Sequence, residues 1–207
     1  MTSAFWDERY AAPGYLFGEA PNRFLVSQQG LFRPGQRVLA VADGEGRNGV
    51  WLARQGMRVL SVDSSPVALD KARKLAERNG AQIEFELADL RSWAWGEHRF
   101  DAVVAIFIQF ATPEERAVLH RAMKKTLKPG GYLVLQGYTP KQLEYRTGGP
   151  PDADKLYTAA MLREDFGDME ILHLREHEEE ICEGCGHCGM SALVDLVARK
   201  KTGSGPA

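Results

Sequence analysis

At 207 residues the chain has the length of a single domain able to bury a core of its own. Its 26 basic and 28 acidic residues leave a formal charge of -2, which gives no general attraction to a nucleic acid backbone or an anionic membrane, and no local basic patch stands out. The start, MTSAFWDERYAAPG, has no apolar signal core, no later segment reaches the roughly 18 uninterrupted apolar residues of a membrane span, and three cysteines form no disulfide framework, so a cytoplasmic protein is expected.

Residues 37–42, RVLAVA, read as a first strand, followed by a glycine cluster and by GVWLARQG, whose apolar positions suit a buried helix ended by Gly56. MRVLSVD (57–63) is a second strand. SSPVALDKARKLAERNG is a well-marked helix, with Ser64 or Ser65 as cap, Pro66 in the first turn and Gly80 beyond the end. Residues 82–87 alternate as a third strand, and FDAVVAIF (100–107) is a fourth, apolar on both faces as in the middle of a parallel sheet. A helix over about 113–127 is broken by LKPGG, and YLVLQGY forms strand five. Residues 138–157, rich in Gly and Pro, predict a lid or substrate loop. A short helix (159–166) and two extended segments (169–181 and 190–199) complete a single domain over 1–200, with 201–207 expected as a disordered tail. Strands alternating with helices predict a doubly wound α/β fold with ligands at the carboxyl ends of the strands.

Gly44, Gly46 and Gly49 spell GxGxxG between the first strand and its helix, and Asp63 ends the next strand 19 positions after Gly44, where an acid can accept hydrogen bonds from two ribose hydroxyls. To this point NAD and S-adenosylmethionine fit equally well.

VLAVADGEGRNGVWLARQG followed by VDSSPVALDKA resembles motifs I and II of class I S-adenosylmethionine-dependent methyltransferases, and GEGRN resembles the branch that includes the tellurite-resistance methyltransferases. The resemblance extends through WDERY, GEAPN, ADL, FDAVVAIF, LKPGG, YTPKQLEYRTGGP and EGxxHxG at residues 183–189, nearly the whole chain. It implies a Rossmann-like, seven-stranded, mostly parallel sheet whose seventh strand runs antiparallel. It implies S-adenosylmethionine as cofactor and methyl transfer to a small-molecule acceptor, with a soft nucleophile such as a thiol or tellurite as the expectation. Gly44, Glu45, Gly46 and Asn48 would pass the methionine part, Asp63 and Ser64 the ribose, and Asp89 and Leu90 the adenine. Tyr10, Tyr15 and Phe17 of the N-terminal segment (1–30) would close over the cofactor. His187, in EGxxHxG, is the candidate base, with Tyr138 and Gln109 as orienting groups. One departure concerns the cofactor loop: Ala40 stands where the family pattern usually has an acid, and Asp43 where it has a small residue, so Asp43 is a candidate for a polar contact from the loop itself.

All three cysteines lie in CEGCGHCGM, with His187 among them. Cys185 to Cys188 has a CxxC redox pattern, but only 19 residues follow it, too few to complete a thioredoxin-like domain. Cys182, Cys185, Cys188 and His187 are soft donors, although adjacent His187 and Cys188 cannot easily share one tetrahedral ion, so no metal is assigned and a turn over 182–189 at the active-site rim is expected. A non-catalytic sensor of the cofactor and a thiol or metal-binding protein on the same scaffold remain as alternatives. His173 and His177 read as part of a charged edge strand, and Trp93 and Trp95 as cover for the adenine side or core.

Overall fold

Successive residues of β1 (Arg37–Val41) enter two different cores: Val38 and Ala40 pack into one, Leu39 and Val41 into the other. β4 (Phe100–Ile106) divides in the same way, with Ala102 and Val104 on one face and Val103 and Ala105 on the opposite one. Burial on both faces with period two is what a central strand between two helical layers requires. The computed structural model describes residues 3–184 and 186–202; Cys185 and residues 203–207 of the tail expected at 201–207 lie outside the described residues.

The sheet order is β3-β2-β1-β4-β5-β7-β6. β2 (Arg58–Asp63), β3 (Ile83–Leu87) and β5 (Leu127–Tyr138) run parallel to their neighbours β1 and β4. β7 (His187–Arg199) is antiparallel to both β5 and β6 (Glu170–Glu183), so β6 runs with the first five strands, as expected. β3 and β6 are the edge strands.

Local chemistry fixes the helices. α4 (Pro66–Arg78) starts with Pro66 at its first position, and Ser65 accepts a hydrogen bond from the Ala68 amide. α5 (Pro113–Thr126) has a full capping box from Thr112 and Glu115, with Lys124 and Lys125 near its negative C-terminal end. The helix after the glycine loop, α3 (Arg47–Arg54), is entered through Gly46 at φ 88°, where a Cβ would stand 2.7 Å from the Ala72 methyl of α4. Glycine there lets the loop descend onto α4.

The N-terminal segment contains α1 (Ser3–Tyr10) and α2 (Arg23–Ser27), and the 138–157 loop contains α6 (Gln142–Tyr145), while α7 (Ala159–Asp165) leads into β6. The last two strands are longer than expected. β6 ends at Glu183 and β7 begins at His187, and these two residues pair across the hairpin, so most of the stretch expected as a turn is strand. Gly184, at φ 64°, makes this possible: a Cβ on it would lie 2.4 Å from the Gly18 amide nitrogen, so the hairpin tip packs directly on the backbone of the N-terminal segment. The Gly186 amide adds a 2.9 Å hydrogen bond to the Leu16 carbonyl. Among the described residues no helix is long and apolar enough to cross a membrane.

Candidate active site

The carboxyl ends of β1, β2, β3 and β4 open into one cleft, lined in turn by Ala42 to Glu45, by Asp63 and Ser64, by Ala88 to Arg91, and by Ile106 to Phe110. Tyr138 at the end of β5, the loop from Gly148 to Pro151, and Gly186 with His187 close one side, and Phe5, Trp6, Arg9 and Tyr10 of α1 cover it. The residues predicted from sequence at 43, 44, 45, 48, 63, 64, 89, 90, 10, 138, 109 and 187 therefore share this cleft, as does Phe17. Gly46 sits behind it against α4.

Asp63 is buried, and its two carboxylate oxygens accept from the amides of Gly44 and Ser65, each at 2.9 Å. Burial raises its pKa, against the pull of these amides. Each oxygen retains lone-pair capacity toward the cleft. Asp43 turns its Oδ2 back into its own loop, where the Gly49 amide (3.1 Å) and the Ser61 hydroxyl (3.3 Å) donate to it. The loop's departure from the family pattern thus acts inside the protein, as a brace under α3. Burial, reinforced by the charge of Asp63, pushes Asp43 up to about 7. The folded state therefore holds a proton that the unfolded chain releases near an ordinary aspartate pKa. Stability contributed by Asp43 is present below that value and is lost as pH rises toward 7. Asp43→Asn is expected to remove this slope and to stabilise the protein by on the order of 4 kcal/mol at pH 8 relative to pH 4, as read from urea midpoints of both proteins at the two pH values.

Glu45 ties three elements together: its carboxylate accepts from the Leu16 amide (2.7 Å) and pairs with Lys71 of α4 (2.9 Å). Asp89 on the rim is gripped by Arg91, with Nη2 to Oδ2 at 2.7 Å and Nε to Oδ1 at 2.9 Å, and the hydrogen bonds from this guanidinium lower its pKa. Leu90 is buried beside it.

Two expectations are corrected here. Tyr15 does not reach the cleft: its hydroxyl donates to the Lys71 carbonyl (3.0 Å) and its ring lies under Lys71 and Arg78, because the chain between Ala11 and Leu16 runs along α4. Gln109 reaches the cleft wall but spends its amide on backbone, accepting from the Tyr138 amide (2.6 Å) and donating to the carbonyls of Tyr138 (2.8 Å) and Lys155 (3.2 Å). It positions Tyr138. Trp93 and Trp95 belong to the core beneath Leu90, whose carbonyl accepts from the Trp95 indole at 3.0 Å.

At the other end of the cleft His187 is 6% exposed and stands among the rings of Phe17 (4.3 Å between centroids), Phe107 (4.7 Å) and Tyr138 (5.5 Å). Burial lowers its pKa, against the opposing pull of Glu183. Its Nδ1 lies 3.6 Å from Glu183 Oε2, within ion-pair reach but beyond a hydrogen bond. The Tyr138 hydroxyl is equally buried and, like His187 Nδ1, has no hydrogen-bond partner among the described residues; the nearby Ser191 hydroxyl donates instead to the Gly189 carbonyl.

Sequence reasoning missed the group that holds His187. Arg47 Nη2 meets Glu183 Oε2 at 2.6 Å, with both side chains buried, and Asn22 Nδ2 donates to Glu183 Oε1 at 3.1 Å. The chain continues from Asn22 to Gln136 (2.7 Å), from Gln136 to Asp195 (2.6 Å), and from Asp195 to His177 Nε2 (2.8 Å), so His177 faces inward. Burial alone would raise Glu183, but His187 and the Arg47 guanidinium outweigh it and hold it at about 2. Arg47→Met leaves this carboxylate buried without its cation and is expected to cost about 3–5 kcal/mol in urea denaturation; a loss below 1 kcal/mol would show that the pair is not what holds the hairpin against α3.

The donors that the cysteine-rich stretch suggested for a metal are divided. His187 points into the cleft, whereas Cys182 and Cys188 are exposed on the opposite face of the hairpin and do not line the cleft; Cys185 lies outside the described residues. Among the described residues, no group of three or more His, Cys, Asp or Glu could hold a metal ion.

Residues 38–131 match the family model described as Methyltransferase domain. Ribosomal protein L11 methyltransferase of Symbiobacterium thermophilum is 34% identical over 171 residues, covering 79% of this chain and 53% of that protein. The chain spans about half the length of the curated relatives it matches. Among solved structures, one from a study of the conversion of a disulfide bond into a thioacetal group during echinomycin biosynthesis superposes with a TM-score of 0.78 at 20% identity, covering 98% of this chain and 91% of that one. TehB from Haemophilus influenzae gives 0.71 at 20% identity, covering 96% and 67%. These two likenesses are of fold. A glycine loop and strand-end acid at the switch point, an antiparallel seventh strand and the matched region agree: residues 38–131 are a methyltransferase domain, set in the fold of the class I S-adenosylmethionine-dependent methyltransferases.

Proposed function

We propose that the protein transfers a methyl group from S-adenosylmethionine to a small, soft nucleophile, a thiol or a metalloid oxyanion such as tellurite, held between Tyr138 and His187. The observation that carries this reading is the pair of buried, unpartnered polar atoms, Tyr138 Oη and His187 Nδ1, on side chains that form the cleft wall. Buried polar atoms without partners are rare and point to a ligand that completes them.

The residues present fit the cofactor. Asp63 has capacity for the ribose hydroxyls, Ser64 lies beside it, and Gly44, Glu45 and Asn48 offer the approach for the methionine part. Asp89 and Leu90 stand at the adenine end. Tyr10 and Phe17 close the cleft with aromatic faces suited to a cation. When bound, S-adenosylmethionine supplies a methyl group already activated by its sulfonium. The protein's share is to align the acceptor, exclude water and take a proton. Gln109 fixes Tyr138 through the backbone, and Tyr138 donates its hydroxyl to the acceptor. The neutral imidazole of His187 takes the acceptor's proton as the new bond to carbon forms. The aromatic wall of Phe17, Phe107 and Tyr138 favours a polarisable sulfur over a strongly hydrated amine.

The test is transfer of labelled methyl from S-adenosylmethionine to a panel of small thiols, tellurite, selenite, small amines and a lysine peptide. Turnover on thiols or tellurite is expected. A tight S-adenosylhomocysteine complex with no turnover on any acceptor would favour the cofactor sensor, and turnover confined to the peptide would contradict a small acceptor.

A further inference from the structure

The hairpin that presents His187 to the cleft presents a different set of donors on its outer face. Cys182 and Cys188 are directly opposite each other in the β6–β7 ladder, and both are free thiols. Two residues along each strand, Glu180 faces Met190, and Met190 is 43% exposed. Side chains two apart on a strand share a face. Two thiols and a thioether therefore stand together in solvent, with the charge of Glu180 acting on Cys188. None of the three lines the catalytic cleft.

We propose that Cys182, Cys188 and Met190 form a surface site for a soft d10 cation of the copper(I) type. Thiolate and thioether sulfurs together select such an ion. Zinc is a poor match, because Met190 is not a zinc ligand and strand alternation removes His187 from this face. Directly opposed residues in an antiparallel pair have Cα atoms about 4.5–5.5 Å apart, close enough for one ion to span both sulfurs. Binding Cu(I) displaces the two thiol protons to solvent and leaves a bis-thiolate with the thioether as third donor; nothing is oxidised or reduced. The site is independent of the methyl-transfer reading, since it shares no residue with the cleft.

The same spacing also lies within the range of a disulfide, which is the rival. The experiment is anaerobic titration of the full, reduced chain with Cu(I) against bicinchoninate as a coloured competitor. One equivalent per chain should be withdrawn from the competitor. Cys182→Ser and Cys188→Ser should each weaken uptake by well over tenfold, and Met190→Leu by about tenfold, since even an outer-shell partner of a metal site is worth 10–100-fold. Cys185→Ser should retain uptake. S-adenosylhomocysteine affinity, unchanged in all four, reports that each variant is folded. Uptake equal in wild type and Cys182→Ser overturns the proposal, as does a 182–188 disulfide that withholds both thiols. Loss in Cys185→Ser with retention in Met190→Leu would move the ion to the hairpin tip and also overturn it.

Discussion

Replacing His187 with glutamine is expected to lower kcat for methyl transfer by about 10²- to 10⁴-fold, the range over which a positioned general base contributes. Glutamine retains a polar group of similar reach but cannot take the acceptor's proton. S-adenosylhomocysteine affinity should change little, because the loops placed at its ribose and methionine parts are braced by Asp43, Asp63 and Glu45 rather than by His187. The split between kcat and cofactor affinity is the informative part. If His187 merely packed Phe17 against Phe107, the substitution would loosen the lid and weaken cofactor binding in parallel with the rate. Activity that survives in full on an acceptor with a high pKa would remove the base assignment.

The second large effect is expected at Asp63. Alanine there removes charge-assisted hydrogen bonds to the ribose worth about 1.5–3 kcal/mol, or about 10- to 150-fold in affinity. It also leaves the amides of Gly44 and Ser65 without their acceptor, so the glycine loop loses its inner anchor as well. Asp63→Asn separates the two contributions: its carbonyl oxygen can keep one of the two amides while its charge is gone. Calorimetry of both variants with S-adenosylhomocysteine should give the larger loss for alanine. Wild-type affinity in Asp63→Ala would take this residue out of the ribose site.

Much of the architecture was legible because its signals are local. A strand, GEGRN, a helix, and an acid at the end of the next strand lie within one short stretch, and the fold brings the loop and the acid into hydrogen-bond contact. The caps of α4 and α5 were equally readable from Ser65 and Pro66 and from Thr112, Pro113 and Glu115. What was missed is long-range. Arg47 and Glu183 are 136 positions apart, and no periodicity announces that pair. Aromatic character says nothing of direction: Tyr15 lies away from the cleft, and Trp6 and Arg9 line it beside the expected Tyr10 and Phe17. The spacing of three and four among Trp6, Arg9 and Tyr10 in SAFWDERY is a helical face that could have been read. The cysteine stretch carried a usable signal too. Strand alternation puts neighbours on opposite faces, so His187 and Cys188 had to separate once the hairpin was recognised.

The most direct test of the account is a calorimetric titration of the purified protein with S-adenosylhomocysteine, with NADH run in parallel. The cleft described here predicts micromolar binding of S-adenosylhomocysteine at one site per chain and no heat with NADH. Binding of NADH alone, or of neither, would contradict it.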